Sequence, residues 1–244
     1  MSVLSEANAL QFDLPGARVA FSTRRGGVSE GPYESLNLGV LTGDEPDRVR
    51  TNRERLAVRL QLDESRIAMG RQVHGAKLAT WDGPPAPSAY RGPVEEMIEV
   101  DGHVTDAVGL ALLVLTADCL PVALASPGRV AMLHAGWRGV AGGILERGVE
   151  AFEEPPVAMI GPGIGACCFE VGPEVLAEFK DVPGAARGRM LDLPRLAEAR
   201  LRAAGAAHVD RIPLCTYCDH KRFFSHRREE GLTGRQGGLV WRTG

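Results

Sequence analysis

The 244-residue chain is 44% hydrophobic, and its 28 basic and 31 acidic residues leave a formal net charge of −3. This balance excludes the strong basic field expected of a protein that binds nucleic acid or acidic membranes. The N-terminus lacks the basic and apolar segments of a secretory leader, and no stretch reaches the roughly 18 apolar residues of a membrane span. We predict a soluble cytoplasmic protein with one domain over residues 1–244, either a monomer or a small homo-oligomer.

The first predicted elements are a short strand at Arg18–Ser22 and a helix over residues 46–60. Between them, residues 23–29 place two arginines, one of them Arg25, beside two glycines. Backbone amides and a guanidinium group can approach an oxyanion together, so this loop is a candidate anion-binding site. A solvated basic turn is the alternative.

Residues 67–81 contain Gln72 and His74, and Asp101 follows in the segment that leads into the central strands. A lone histidine in a strand is either a packed core residue or a ligand, and its partners decide between the two. Asp101 precedes a glycine, which is typical of a turn aspartate.

The central feature is a predicted hairpin within residues 110–139, in which two apolar runs flank a Ser-Pro-Gly-Arg turn. If Ser126 lies opposite Arg129, Cys119 faces a glycine and lies diagonal to His134 on the same face. Diagonal neighbours are about 7–8 Å apart at Cα, so the thiol and the imidazole can converge on one metal ion or on each other.

Further elements are predicted after the hairpin. A strand over Ser225–Arg228 would point one arginine inward, where it needs a carboxylate or a phosphate as partner. The remaining elements are helices at residues 142–152, 173–180 and 193–204, and strands at residues 157–160 and near residues 238–242.

Four of the five cysteines lie in this second half of the chain. Cys167 and Cys168 are adjacent, so we expect their side chains to diverge and to fill the core rather than to form a redox pair. Cys215 and Cys218 form a Cys-x-x-Cys motif, but the sequence holds no second one, which leaves half of a structural zinc site.

The candidate ligands His74, Cys119 and His134 form a set that suits zinc with a fourth position open for water. Copper is the competing metal, but a multicopper oxidase needs paired His-x-His runs, and this chain has six histidines and no such run. A metal-free nucleophile pair, with Cys119 as thiolate and His134 as base, is also open. The position of His74 distinguishes the metal site from the metal-free pair, because only the metal site needs His74 beside Cys119 and His134.

The sequence resembles the YfiH-like family, also described as laccase-domain polyphenol oxidases. The resemblance covers nearly the whole chain, and the joint occurrence of its motifs is specific although each motif alone is not. These motifs are Ser22-Thr23-Arg24, Gly26-Gly27-Val28-Ser29, Leu36-Asn37-Leu38-Gly39, Gln72-Val73-His74-Gly75, Leu115-Thr116-Ala117-Asp118-Cys119-Leu120-Pro121, His134-Ala135-Gly136-Trp137-Arg138-Gly139, Gly161-Pro162, Ile164-Gly165, Glu170-Val171-Gly172, Ser225-His226-Arg227-Arg228 and Thr233-Gly234-Arg235.

The resemblance implies an α+β fold: a single-domain layered α/β sandwich with mixed, largely antiparallel sheets, similar to the cysteine-hydrolase-like fold of deamidating toxins. It implies that His74, Cys119 and His134 are metal ligands. It also implies phosphorolysis of adenosine, inosine and methylthioadenosine, together with deamination of adenosine, so that purine nucleosides and phosphate are the expected partners. One departure is His103, which stands where a small residue is usual and which we expect to fill space.

The resulting hypothesis assigns roles to the site residues. Zinc, with copper as the other possible metal, would activate a water for deamination, with Cys119, His134 and Asp118 as catalytic residues and Asp118 or Asp101 as proton carrier. Phosphate would be held by arginines and glycine-rich backbone amides. The expected substrate-binding residues are Arg25, Asn37, Gln72, Asp101 and Arg227.

Two other classes of function stay open. One is a Cys-His thiol hydrolase or amidase that acts on a peptide or cell-wall precursor, and it would be blocked by an alkylating agent rather than by a chelator. The other is a non-enzymatic protein that binds zinc and leaves every nucleoside unchanged.

Overall fold

Apolar side chains cover both faces of the central strands, and this pattern produces a stack of layers. The computed structural model describes residues 4–6, 8–92 and 97–244. Its strands are β1 (Leu4–Glu6), β2 (Ala9–Leu14), β3 (Ala17–Ser22), β4 (Ile67–Ala68), β5 (Leu78–Trp81), β6 (Gly102–Thr105), β7 (Ala111–Thr116), β8 (Leu120–Ser126), β9 (Arg129–Ala135), β10 (Val157–Ile160), β11 (Ala186–Arg187), β12 (Met190–Leu191), β13 (His208–Arg211) and β14 (Gln236–Arg242).

The helices lie outside the strands. They are α1 (Pro46–Leu60), α2 (Trp137–Ala141), α3 (Ile144–Glu150), α4 (Pro173–Ala177) and α5 (Leu193–Ala203), with short 3-10 turns at Gly31–Tyr33 and Glu64–Arg66. Among the described residues, no helix has both the length and the apolar character needed to cross a bilayer.

Two six-stranded sheets form the framework. The first sheet has the order β1-β2-β3-β14-β7-β4, and the second has the order β13-β10-β8-β9-β6-β5. Most pairs are antiparallel, while β4 with β7, β5 with β6 and β10 with β13 are parallel. The predicted mixed, largely antiparallel arrangement is therefore confirmed.

Alternation along the strands decides which face of each sheet meets which layer. In β7, Leu112 and Val114 point between the two sheets, whereas Leu113 points to the opposite face, where it packs with Leu56 of α1. The far face of the second sheet packs against α3 and α5. The molecule is thus a four-layer sandwich, with a helix layer outside each sheet.

The hairpin of β8 and β9 has the predicted register. Ser126 lies opposite Arg129 and Leu120 opposite Ala135, so paired residue numbers keep a constant sum along the whole ladder. The predicted strand at residues 157–160 and the helix at residues 46–60 are also confirmed.

Other predicted elements differ from the structure. Residues 225–228 form turns rather than a strand, so the predicted alternation of inward and outward arginines there is wrong. The Arg228 side chain instead donates to the carbonyl oxygens of Thr216, Tyr217 and Phe223 and pairs with the Glu229 carboxylate. The predicted helix at residues 142–152 is shorter, since the two glycines at residues 142 and 143 separate α2 from α3.

Candidate metal centre and active-site cavity

The structure brings His74, Cys119 and His134 together. Each offers one ligand atom, and these atoms lie within 4.8 Å of one another. The two imidazole rings meet edge to face, with their centroids 4.8 Å apart. Gly136 lies opposite Cys119 in the hairpin, and a Cβ atom there would be 2.8 Å from the Cys119 Sγ and 3.2 Å from the His74 Cδ2. The absence of a side chain at this position therefore permits the close approach of the two ligands.

Asp101 links two of the three candidate ligands. Its Oδ1 atom lies 2.8 Å from the His134 Nδ1 and accepts a hydrogen bond from the His74 backbone N–H. Its Oδ2 atom accepts from the backbone N–H groups of Val73 and Gly75. His74 has a φ of 60°, a left-handed conformation that is unusual for a residue other than glycine, and these bonds hold it there.

Asp101 itself is completely buried, so its side chain is not accessible to a molecule in the cavity. This burial does not fit the expected substrate-binding role. Because the carboxylate occupies the Nδ1 atom of His134, the Nε2 atom of that ring is the one available to a metal. A carboxylate behind a ligating histidine fixes the tautomer and orientation of the ring at zinc sites.

The chemistry of this donor set fits a metal ion. Burial raises the pKa of the Cys119 thiol, but His134 and His74 outweigh burial and hold that pKa at about 6. Burial lowers the pKa of His134, whereas the Cys119 thiolate and the Asp101 carboxylate raise it to about 9. Cys119 is therefore a thiolate at neutral pH, which is the form that binds metals, whereas His134 has to release its proton when a metal binds. Two imidazoles and one thiolate form a three-ligand set that leaves a tetrahedral zinc ion one open position.

The three candidate ligands line a cavity of about 630 Å³. Asp118 is the one acidic side chain among the described residues that line this cavity, and Trp137 and Phe169 provide aromatic surface. The basic lining residues are Arg53, Arg71, Arg138, Arg227 and Arg235, with His226 beside them. Five guanidinium groups around one cavity in a chain of net charge −3 make a local anion-binding field.

Asp118 has a carboxylate that is fully engaged by the C-terminal segment. Its Oδ1 atom accepts from the Thr216 hydroxyl, and its Oδ2 atom accepts from the Ser225 hydroxyl and the Arg227 backbone N–H. The residue has a φ of 92°, which turns the chain sharply just before Cys119. These contacts fasten the turn that carries Arg227 to the segment that carries Cys119.

The expected substrate-binding residues lie in different places. Gln72 and Arg227 line the cavity. The Gln72 amide exchanges two hydrogen bonds with the Leu115 backbone, and the Arg227 guanidinium lies over the Phe169 ring and donates to the Glu170 carbonyl.

Asn37 and Arg25 do not line the cavity among the described contacts. Asn37 is completely buried, and its side chain bonds to Thr42, Asp44 and the Arg235 backbone N–H, so it supports the cavity wall from behind. Arg25 is exposed and donates to the Lys221 carbonyl. The structure therefore does not bring Arg25 to the candidate ligands.

Arg138 and Arg235 were not among the residues singled out from the sequence, although both belong to the quoted motifs. Arg138 lies one residue after Trp137 and places its guanidinium 4.3 Å from that ring. Arg235 donates from Nη1 to the carbonyls of Thr233 and Gly234, and burial lowers its pKa. The signal available in the sequence was a charged residue inside each motif.

Comparison with known proteins places this geometry in a family. A family model described as multi-copper polyphenol oxidoreductase laccase matches residues 18–243. A protein of Escherichia coli named purine nucleoside phosphorylase YfiH is 37% identical over 239 residues, covering 93% of this chain and 94% of that relative. Purine nucleoside phosphorylase ORF3 of Streptomyces griseus is 41% identical over 241 residues, covering 92% of this chain and 94% of that relative.

Solved structures agree with this assignment. The crystal structure of YlmD from Geobacillus stearothermophilus matches with a TM-score of 0.89 at 34% identity and covers 99% of both chains. The hypothetical protein YfiH of Bacillus licheniformis matches with a TM-score of 0.89 at 30% identity and covers 98% of both chains. The protein thus has the single-domain α+β fold of these structures, and it belongs to the YfiH family, whose family model carries the laccase description.

Proposed function

We propose that this protein is a zinc-dependent purine nucleoside phosphorylase that also deaminates adenosine. The proposed substrates are adenosine, inosine and methylthioadenosine, each of which reacts with phosphate to give the free base and a sugar 1-phosphate. The observation that carries the proposal is the arginine-lined cavity that opens onto His74, Cys119 and His134. The names of the curated relatives support the same reaction class.

The basic residues of the cavity would bind phosphate. Arg235 uses Nη1 for backbone carbonyls, and no described contact occupies its Nε and Nη2 atoms. Arg227 uses Nη1 for the Glu170 carbonyl in the same way. A guanidinium with two donors still available can bind an oxyanion in bidentate fashion, and several such groups stabilise the charge that phosphate brings to the sugar carbon.

The aromatic side chains would bind the base. Trp137 and Phe169 line the cavity, and the guanidinium carbons of Arg138 and Arg227 lie 4.3 Å and 5.4 Å from their respective ring centroids. Flat surfaces of this kind favour a planar purine over an aliphatic substrate. The cavity volume of about 630 Å³ lies within the range of about 300–1,000 Å³ typical of small-molecule sites.

Zinc, when bound by the three candidate ligands, would supply a Lewis acid and lower the pKa of a water molecule beside the substrate. Asp101 orients His134 and fixes the backbone of His74, so it acts as a positioning residue. Deamination would use the same base-binding surfaces and needs water instead of phosphate. The sequence lacks the His-x-Glu and Pro-Cys-x-x-Cys signature of zinc deaminases, so this activity would use a different framework.

One observation favours a second candidate function. The low pKa of Cys119 and the raised pKa of His134 are also the properties of a thiolate nucleophile with its imidazolium partner. A metal-free Cys-His hydrolase or amidase would therefore use the same two residues, and a chelator distinguishes it from the zinc enzyme.

The test is elemental analysis of the purified protein combined with product assays on the three nucleosides, with and without phosphate. Adenine and ribose 1-phosphate from adenosine plus phosphate support phosphorolysis, and inosine formed without phosphate supports deamination. No reaction of any nucleoside, together with amide hydrolysis that survives removal of every metal but not alkylation of Cys119, would instead support the thiol hydrolase.

A matched pair of arginine variants tests the phosphate site. Arg235→Ala and Arg25→Ala each remove one guanidinium, but only Arg235 lines the cavity. We expect Arg235→Ala, like Arg227→Ala, to raise the KM for phosphate at least about tenfold, as loss of a charge-assisted hydrogen bond predicts, and to leave deamination nearly unchanged. Equal loss of both activities, or the same effect from Arg25→Ala, contradicts the assignment.

A further inference from the structure

A second group of metal-binding side chains lies on two loops beside the cavity. The Sγ atoms of Cys167, Cys168, Cys215 and Cys218 all lie within 4.8 Å of one another. The Cys218 Sγ is 3.6 Å from the Cys167 Sγ and 3.3 Å from the Cys168 Sγ, and the two neighbouring cysteines are 3.5 Å apart at sulfur. The expectation that the two side chains diverge is therefore wrong, because their thiols converge. Cys167 is exposed, whereas Cys168 is partly buried and packs against the core as expected.

The topology of the second sheet brings these loops together. Strands β10 and β13 are parallel, with Ile160 paired to Arg211, so the loops that follow them leave the same edge of the sheet. Gly163 and Cys215 then form a bridge between the loops, and the Thr216 N–H donates to the Gly163 carbonyl. The fold thus adds an adjacent cysteine pair to the Cys-x-x-Cys motif, which the sequence alone left as half a site.

The distances between the sulfur atoms fit a shared metal ion. A disulfide requires sulfur atoms about 2.05 Å apart. Four sulfur ligands at about 2.3 Å from a tetrahedral zinc ion are instead separated by about 3.8 Å. The three sulfur–sulfur separations of 3.3–3.6 Å are close to that value and far from the disulfide value.

Backbone donors already point at one of the sulfurs. The Gly165 N–H donates to the Cys215 Sγ at 3.2 Å. Hydrogen bonds to sulfur favour the thiolate, the form that ligates metals. The Gly165 N–H therefore fixes the position of one of the four sulfur atoms.

We propose that Cys167, Cys168, Cys215 and Cys218 bind a structural zinc ion, separate from the ion held by His74, Cys119 and His134. Four cysteine ligands close a tetrahedral zinc site and leave no position for substrate, so this ion stabilises structure rather than taking part in the reaction.

The second zinc site would brace one wall of the cavity. One of its loops carries Ile164 and Phe169, which line the cavity. The other carries Thr216, whose hydroxyl donates to Asp118 at 2.7 Å. By holding the two loops together, the second zinc ion would therefore fix the segment next to Cys119, and the ion itself would not contact the substrate.

The first test measures zinc per chain in the full-length protein purified under reducing conditions. We expect two zinc ions in the unmodified protein, one in Cys218→Ser, one in Cys119→Ser and none in the double variant. If the unmodified protein binds one zinc ion that Cys218→Ser removes and Cys119→Ser does not, the cysteine site stands and the proposed metal centre fails. If Cys218→Ser retains all the zinc, or mass spectrometry finds a disulfide among the four cysteines, the proposal is overturned.

A second measurement needs no variant and so does not depend on the folding of Cys218→Ser. Cobalt(II) replaces zinc, and the intensity of the thiolate-to-cobalt charge-transfer absorption counts the sulfur ligands. We expect the fully loaded protein to show the intensity of five thiolate ligands, four from the cysteine site and one from Cys119. An intensity that corresponds to one thiolate rules the second site out.

Discussion

At the level of single residues, Asp101 shows how one buried carboxylate organises two candidate ligands. It bonds the side chain of His134 and the backbone of His74, and it lies too deep to reach a substrate. Burial alone would raise the pKa of Asp101, but His134 and the surrounding backbone N–H groups lower it, so the carboxylate is charged at neutral pH. A negative charge behind His134 makes its other nitrogen a better metal ligand.

We expect Asp101→Asn to weaken zinc binding at the metal centre by about 10–100-fold, the loss typical of an altered partner behind a metal ligand. The amide keeps the shape of the side chain but replaces one acceptor oxygen with a donor and removes the charge. Competition with a chromophoric chelator measures the affinity. The control is Asp106→Asn, since Asp106 is a carboxylate paired with Arg129 near the surface. Equal affinities in both variants would show that Asp101 has no positioning role.

His103 is a buried histidine that makes the fold sensitive to acid. It is completely buried, accepts a hydrogen bond from the Trp81 indole N–H, and has no described partner for its Nε2 atom. Burial lowers its pKa to about 4, although Asp101 opposes that effect. An unfolded chain has a histidine pKa of about 6.5, so unfolding takes up a proton between these values. The stability that His103 contributes above about pH 6.5 is therefore lost as the pH falls toward about 4.

We expect this difference to remove about 2 kcal/mol of unfolding free energy between about pH 7 and about pH 5. Urea unfolding at both pH values measures it. Other groups also titrate in this range, so the unmodified protein is compared with His103→Leu, which cannot be protonated there. The variant should lose less stability by about that amount, whatever its absolute stability. The same pH dependence in both proteins would show that His103 is not the cause.

At the level of elements, the C-terminal turn that carries Arg227 is held in place by Asp118. The Ser225 hydroxyl and the Arg227 N–H of this turn, together with the Thr216 hydroxyl of the preceding loop, converge on its two oxygens. If Asp118 acts by position, Asp118→Asn displaces Arg227 and raises the KM for phosphate, while the rate constant for deamination changes little. If Asp118 carries a proton, kcat falls by about 10²–10⁴-fold, the contribution typical of a general acid or base. The contacts favour the first outcome.

Steady-state kinetics of Asp118→Asn with varied phosphate separate the two roles. Thr216→Val is the matched control, since it removes one of the three hydrogen bonds and leaves the carboxylate intact. We expect it to raise the same KM to a smaller extent. A large loss of kcat in Asp118→Asn, with no change of kcat in Thr216→Val, assigns proton transfer to Asp118. The zinc content of both variants should equal that of the unmodified protein.

How far each element followed from the sequence depended on whether its determinants are local. The register of β8 and β9 was predictable because a four-residue turn fixes the pairing of Ser126 with Arg129. The loop at residues 225–228 was not, because Arg228 and Asp118 hold it through contacts with residues far apart in the chain. The convergence of the four cysteines was not predictable for the same reason, because the parallel pairing of β10 with β13 brings the adjacent cysteine pair to the Cys-x-x-Cys motif.

Within the candidate metal centre, the approach of Cys119 to His134 was open to prediction, but the contacts of Asp101 were not. Hairpin geometry places Cys119 near His134. The Asp101 side chain, by contrast, receives hydrogen bonds from three consecutive backbone N–H groups around His74, and nothing in the local sequence around residue 101 indicates that contact. A turn aspartate and a buried organiser of ligands look the same in a single sequence.

At the scale of the whole molecule, the candidate metal centre lies where the chain crosses between the two sheets. β4 and β7 belong to the first sheet, and the strands that follow them, β5 and β8, belong to the second. His74 lies in the first of these crossings, Cys119 lies in the other, and His134 lies within β9 of the second sheet. A metal ion bound to all three would therefore tie both crossings to the second sheet.

This arrangement predicts that zinc at the metal centre stabilises the whole fold. A ligand that binds only the folded state, at about 100 times its Kd, adds about 2.7 kcal/mol, which raises the Tm of a chain of this length by roughly 5–10 °C. Calorimetry of the metal-free protein with and without zinc measures the rise, and Cys119→Ser corrects for zinc bound at the cysteine cluster, which that variant retains. We expect the rise to be larger in the unmodified protein than in Cys119→Ser by about this amount. Any zinc ion shared by the two crossings must be released before the sheets can separate, so its binding has to stabilise the fold. An equal rise in both proteins would therefore mean that His74, Cys119 and His134 do not bind zinc in the folded protein.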